Sequence, residues 1–99
     1  MMLGDRVEAA EAEQMGMIYK CLDDEVFEAE SKKLVVKLAN MPTKALGFTK
    51  RLMNASFTNN LEQQLTLEGQ TQTQAAATND FSEGVNAFLE KRKPVFKGN

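Results

Sequence analysis

Histidine and tryptophan are absent from the 99 residues, and cysteine and tyrosine occur once each. Without histidine the chain lacks the commonest general base and the commonest metal ligand. The lone Cys21 cannot close an internal disulfide, and one cysteine with no histidine excludes a zinc or iron–sulfur site. As a nucleophile Cys21 would need a neighbouring base, and the sequence offers none, so it reads as a small, buried apolar residue. With no tryptophan and only Tyr19, there are few platforms on which bases could stack. Neither a GxGxxG run nor a P-loop is present, which removes the common nucleotide-binding fingerprints. No apolar run approaches the roughly 20 residues needed to cross a bilayer. No basic segment followed by an apolar one opens the chain, so no signal peptide is read. The expectation is a cytoplasmic chain with no membrane partner.

What is present has the balance of a soluble domain: 42% of residues are hydrophobic and 26% charged. The net charge of −2 hides an uneven distribution. Residues 1–30 carry nine acidic and two basic side chains, whereas the rest carry five acidic and ten basic ones. The basic side chains are interrupted by apolar periodicity, and the acidic first third would repel a duplex, so nucleic acid is excluded as a partner.

Periodicity and punctuation predict an all-α chain of four to five short helices. Ala9, Ala12 and Met15 share one face of a first helix, with Gly16 at the left-handed position after it and Met17 closing over the end. Residues 17–22 are too few for a helix and read as an extended connector or single strand, whose backbone groups would lack partners. Asp23, Asp24 and Glu25 open a second helix that runs to about Asn40, with Phe27, Leu34, Val35 and Leu38 on one side. Glu28 and Lys32 form an i,i+4 pair in the favourable order on its solvent face. Pro42 breaks this helix at Met41 and fits the first turn of the next, over 43–54, with Leu46, Thr49, Leu52 and Met53 as its inner stripe. A fourth helix over 60–77 carries Leu61, Leu65, Glu68, Gln72 and Ala75 or Ala76 on one side, the stripe turning polar after Leu67. Asn79 or Asp80 caps the last helix, Asp80 and Glu83 resembling a capping box. Phe81, Val85, Phe88 and Leu89 then fall at i, i+4, i+7 and i+8, the clearest amphipathic stripe in the chain, and the core is expected at Phe81, Val85 and Leu89. Lys91, Arg92 and Lys93 are expected in the final helical turn before Pro94.

Four segments stand out in order: Leu3 to Val7 with Ala9, Glu11, Ala12 and Gly16 to Ile18; Pro42 with Ala45, Leu46, Thr49, Lys50 and Asn54; Leu61, Glu62, Leu65 and Glu68; and Asp80, Phe81, Glu83, Gly84, Ala87 and Phe88 with the run from Glu90 to Phe96. Taken together they resemble the C-terminal region of the enoyl-CoA hydratase/isomerase (crotonase) family. The resemblance spans nearly the whole chain, and its last segment is the most specific. It implies the helical C-terminal region of a crotonase-type fold without its ββα spiral core. Residues 1–22 would link to that missing N-terminal core domain, and 23–99 would form a helical assembly region.

The resemblance further implies that the parent adds water to an enoyl-CoA or shifts its double bond. The acyl-CoA thioester is then a substrate, and no cofactor is expected. The oxyanion amides and catalytic carboxylates of the family lie upstream, so no catalytic residue is expected in this chain, and the isolated chain is expected to be inactive. Glu28, Glu30, Glu62, Glu68 and Glu90 read as solvated helix faces. Homo-oligomeric assembly, as a trimer or hexamer in the parent, is implied as a partner role. By resemblance Phe88 and Lys91 match positions that approach the coenzyme A adenine and its phosphates. From the residues alone, Phe88 reads first as a core residue on the apolar stripe, and Lys91 first as a cation serving the helix dipole. A free-standing helical interaction module and a small acyl-CoA carrier bundle are the alternatives, the second disfavoured by the shortage of aromatics. Hydratase, isomerase, dehalogenase and decarboxylase chemistry are not separated by these residues.

Overall fold

Five α-helices follow one another in a computed structural model that describes residues 4–99; Leu3 lies outside the described residues. They are α1 (Ala9–Gln14), α2 (Asp24–Ala39), α3 (Thr43–Ser56), α4 (Leu61–Ala76) and α5 (Asn79–Leu89). Among the described residues there is no strand. The chain divides into two compact units, Met1–Lys33 and Leu34–Asn99, with the boundary inside α2.

In the first unit, α1 is a short run of alanine, glutamate and glutamine, all good helix formers. It ends as its glycine predicts. Gly16 has φ +73°, its amide donates to the Glu13 carbonyl at 2.9 Å, and the Met17 amide donates to the Ala12 carbonyl at 2.8 Å. That pair of bonds is a Schellman motif, which needs a residue free to enter the left-handed region. Residues 17–22 form a connector rather than a strand. The Cys21 amide finds its partner in the Glu13 carboxylate at 2.7 Å, and the Cys21 side chain is half-buried. On α2 the expected pairing of Glu28 with Lys32 is replaced by Glu30 and Lys33 at 2.5 Å.

The second unit is built on α3, α4 and α5. Pro42 occupies the N-cap of α3 rather than its first turn. The half-buried residues of α3 are Ala45, Leu46, Phe48, Leu52 and Ala55, which include the expected Leu46 and Leu52; Thr49 and Met53, expected there, are exposed. On α4 the inner side is Gln64, Leu67, Thr71 and Ala75, while Leu61 and Leu65 face outward. The reason is local. Gln64 donates to the Leu52 carbonyl at 3.3 Å and to Glu68 at 2.9 Å, and accepts from the Asn59 amide at 3.0 Å. A glutamine with its donors and its acceptor met inside the unit can face inward at little cost. Asn60 caps α4 in a full capping box: its side chain accepts from the Gln63 amide at 2.9 Å, and Gln63 accepts from the Asn60 amide at 3.0 Å.

The last helix departs furthest from expectation. Its cap is Thr78, whose hydroxyl accepts from the Phe81 amide at 3.1 Å, so Asp80 and Glu83 form no capping box. The buried residues of α5 are Asp80 and Ala87, and Glu83 and Gly84 are half-buried beside them. The apolar stripe lies on the other side. Phe81 and Val85 are partly exposed, and Phe88 and Leu89 project outward, Phe88 at 82% exposure. The core expected at Phe81, Val85 and Leu89 is therefore corrected: Gly84 and Ala87 turn inward instead, and Gly84 has no side chain to displace the Phe96 ring packed against it. Periodicity identifies a stripe, but not whether that stripe faces the chain's own neighbours.

Candidate functional site

The C-terminal end of α5 and the segment after it bring the chemically capable side chains together. The helix stops at Leu89, so Lys91, Arg92 and Lys93 are not in its last turn. Lys91 instead takes the left-handed conformation, φ +54°. Its amide donates to the Phe88 carbonyl at 3.3 Å, and the Arg92 amide reaches back to Ala87 at 3.0 Å, a second Schellman ending. A lysine there costs about 1–2 kcal/mol relative to glycine, because its Cβ crowds the following carbonyl.

Phe88 and Lys91 are thus held at one helix end, both exposed, and among the described residues Lys91 enters no ion pair. An exposed ring can cover a flat apolar group, and a flexible ammonium can meet an anion. The arrangement has the elements for holding a ligand that is aromatic at one point and anionic at another.

Arg92 is committed elsewhere. Its guanidinium meets the Glu83 carboxylate at 2.6 and 2.9 Å and Glu90 at 2.5 Å. The fork geometry and the Val95 amide, which donates to Glu83 at 2.8 Å, hold the Glu83 carboxyl down to about 2. The bonds to Glu83 and Glu90 raise the Arg92 guanidinium further above its ordinary value. Asp80 is 3% exposed. Its carboxylate accepts from the Lys97 amide at 2.7 Å and the Gly98 amide at 2.8 Å, while its own amide donates to the Asn99 carbonyl at 3.1 Å. Sequence reading missed both clamps. Two carboxylates at i,i+3 next to a helix start look like a cap until the returning chain is seen.

Between α3, α4, α5 and the returning segment lies an apolar groove of about 400 Å³, with Pro42, Ala45, Ala75, Phe81, Phe88 and Phe96 among its walls. Arg51 lies over the Phe48 ring at 4.9 Å, a cation–π contact on α3. No group of three potential metal ligands is found among the described residues, and no helix there is long and apolar enough to cross a membrane.

Comparison with known proteins shows the family. The family model described as enoyl-CoA hydratase/isomerase matches residues 1–99. A 1,2-epoxyphenylacetyl-CoA isomerase from Escherichia coli (strain K12) is 41% identical over 97 residues, covering 98% of this chain and 37% of the relative. A trans-2-decenoyl-[acyl-carrier-protein] isomerase from Streptococcus mutans is 31% identical over 97 residues, covering 98% and 37%. The crystal structure of an enoyl-CoA hydratase from Geobacillus kaustophilus HTA426 superimposes with a TM-score of 0.91 at 28% identity, covering 99% of this chain and 37% of that one. The chain thus spans about 37% of the length of these proteins.

Proposed function

The chain belongs to the enoyl-CoA hydratase/isomerase family, and from that premise we propose that it is the C-terminal helical part of a larger enzyme acting on acyl-CoA thioesters. In this reading residues 1–22 link to the N-terminal core, and 23–99 contribute subunit assembly and closure of the coenzyme A site. Phe88 and Lys91 are the residues proposed to meet the adenine and the phosphates. The parent enzyme is proposed to be cytoplasmic and homo-oligomeric and to need no cofactor beyond its thioester substrate.

The observation that carries the reading is the match along the entire chain to only about 37% of each relative. The chemistry then belongs to the remaining length. Hydration or double-bond migration next to a thioester builds negative charge on the carbonyl oxygen, which fixed N–H donors stabilise while a carboxylate moves the proton. Relatives alike over these same residues are named for different reactions and different acyl carriers. That diversity fits a region serving assembly and binding rather than choosing the reaction.

The test compares the isolated chain with the chain joined to a family N-terminal core, using crotonyl-CoA and following loss of the enoyl thioester. The joined protein is expected to turn over and the isolated chain to match a buffer blank; turnover by the isolated chain would sink the proposal. A free-standing helical interaction module is the second reading, supported by the outward stripe of α5. A well-folded monomer by light scattering, with no binding of a hydrophobic dye, would favour the module.

A further inference from the structure

Residues 94–99 return along α5, and among the described residues every hydrogen bond they make ends on one of two residues. Val95 donates to Glu83, Lys97 and Gly98 donate to Asp80, and the Asn99 carbonyl accepts from the Asp80 amide. Of their side chains only that of Phe96 is substantially covered, since Pro94, Val95, Lys97 and Asn99 are exposed. The Phe96 ring lies over Gly84, where an added Cβ would come within 3.6 Å of it, and Phe96 walls the apolar groove. At the far end Gly98 has φ +77° and is seated so closely on α3 that a Cβ would lie 2.6 Å from the Thr43 hydroxyl.

We propose that residues 94–99 are a releasable strap, latched as one unit by Asp80 and Glu83, that walls the groove when closed and uncovers the Gly84 side of α5 when released. A segment held by two side chains, one backbone amide and one ring opens at a lower free energy than the helices it crosses, because few interactions must break together. Glu83 holds it at Val95 and Asp80 holds it at Lys97, Gly98 and Asn99, with the Phe96 ring seated between the two holds, so freeing one hold removes the geometry that aligns the other. The strap therefore opens as one unit. This holds whether or not the parent is the enzyme proposed above.

The test is amide exchange by NMR on the full 99-residue chain, with the nuclear Overhauser signal between the Phe96 ring and Gly84 read alongside. In Asp80→Ala the Val95, Lys97 and Gly98 amides are expected to exchange faster by a common factor of roughly tenfold or more. The Phe96–Gly84 signal should vanish, and the Ala87 and Phe88 amides should be unchanged. Gly98→Ala gives the second arm: it leaves α5 untouched and is strained both by φ and by Thr43. It should release Val95 and the Phe96 ring as well, although neither is the substituted residue's neighbour in sequence. The proposal is overturned if Val95 keeps its protection while only the tip loosens, if α5 amides accelerate in step with the strap, or if the strap amides are unprotected in the unaltered chain.

Discussion

Glu83 and Arg92 stand nine residues apart and meet as a two-bond fork at 2.6 and 2.9 Å. The contact spans the end of α5 and ties the helix to the chain that leaves it. It also explains why Arg92, inside a basic run, is committed within the chain, whereas its neighbour Lys91 enters no ion pair among the described residues.

Acid should loosen this tie within a defined window. The Glu83 carboxyl lies at about 2 in the folded chain against an ordinary 4.5. As pH falls below 4.5, an unfolded chain takes up a proton that the folded one refuses. The contribution of the pair is therefore complete above pH 4.5 and disappears as pH drops towards 2. Protection of the Val95 amide, followed against pH, should fall in this range. Glu83→Gln should flatten that dependence; an unchanged profile in the variant would assign it to other carboxylates.

Removing the α4 cap should be felt across the second unit. Asn60→Ala deletes one half of the reciprocal bond with Gln63 and is expected to cost about 1 kcal/mol. Urea unfolding monitored by helical circular dichroism measures it. A cost near zero would mean that α4 frays through its first turn in solution.

The two sides of α5 should respond oppositely to substitution. Ala87 is 1% exposed, so Ala87→Leu is expected to cost about 1–3 kcal/mol by overpacking. Phe88→Ala, on the outward side, should cost less than about 0.5 kcal/mol in the isolated chain. Comparing the two unfolding midpoints checks which side faces inward, and a larger loss for Phe88→Ala would reverse the assignment.

Lys91 separates backbone strain from charge. Lys91→Gly relieves the left-handed conformation and should stabilise the chain by about 1 kcal/mol. Joined to a family core, the same variant should raise KM for a coenzyme A thioester with little change in kcat, as expected when binding common to ground and transition states is removed. Rescue by Lys91→Arg, which restores the cation, would tie the loss to charge; an unchanged KM in Lys91→Gly would leave the residue a purely structural terminus.

Much of the local structure was legible because its causes are local. Gly16 marked the end of α1, Asn60 the start of α4, and Pro42 the break between α2 and α3. The extent of α5 was less legible. A run of three cations suggested a long last turn, yet the backbone turns left-handed at Lys91. The inner side of α4 was also misread, since Gln64 is polar in composition but satisfied in place.

By itself the sequence determined that this chain is helical, where most of its helices begin and end, and which residue types it cannot use for chemistry. Those properties follow from backbone conformational preference and composition, which act within a few residues. Tertiary structure decided which side of α5 turns inward and what Asp80 and Glu83 are for. Phe81 to Leu89 form the stronger apolar stripe, but the covered side of α5 is that of Asp80, Gly84 and Ala87, where the Phe96 ring lies against Gly84. The partners of Asp80 lie 17 and 18 residues away, beyond the reach of any local pattern.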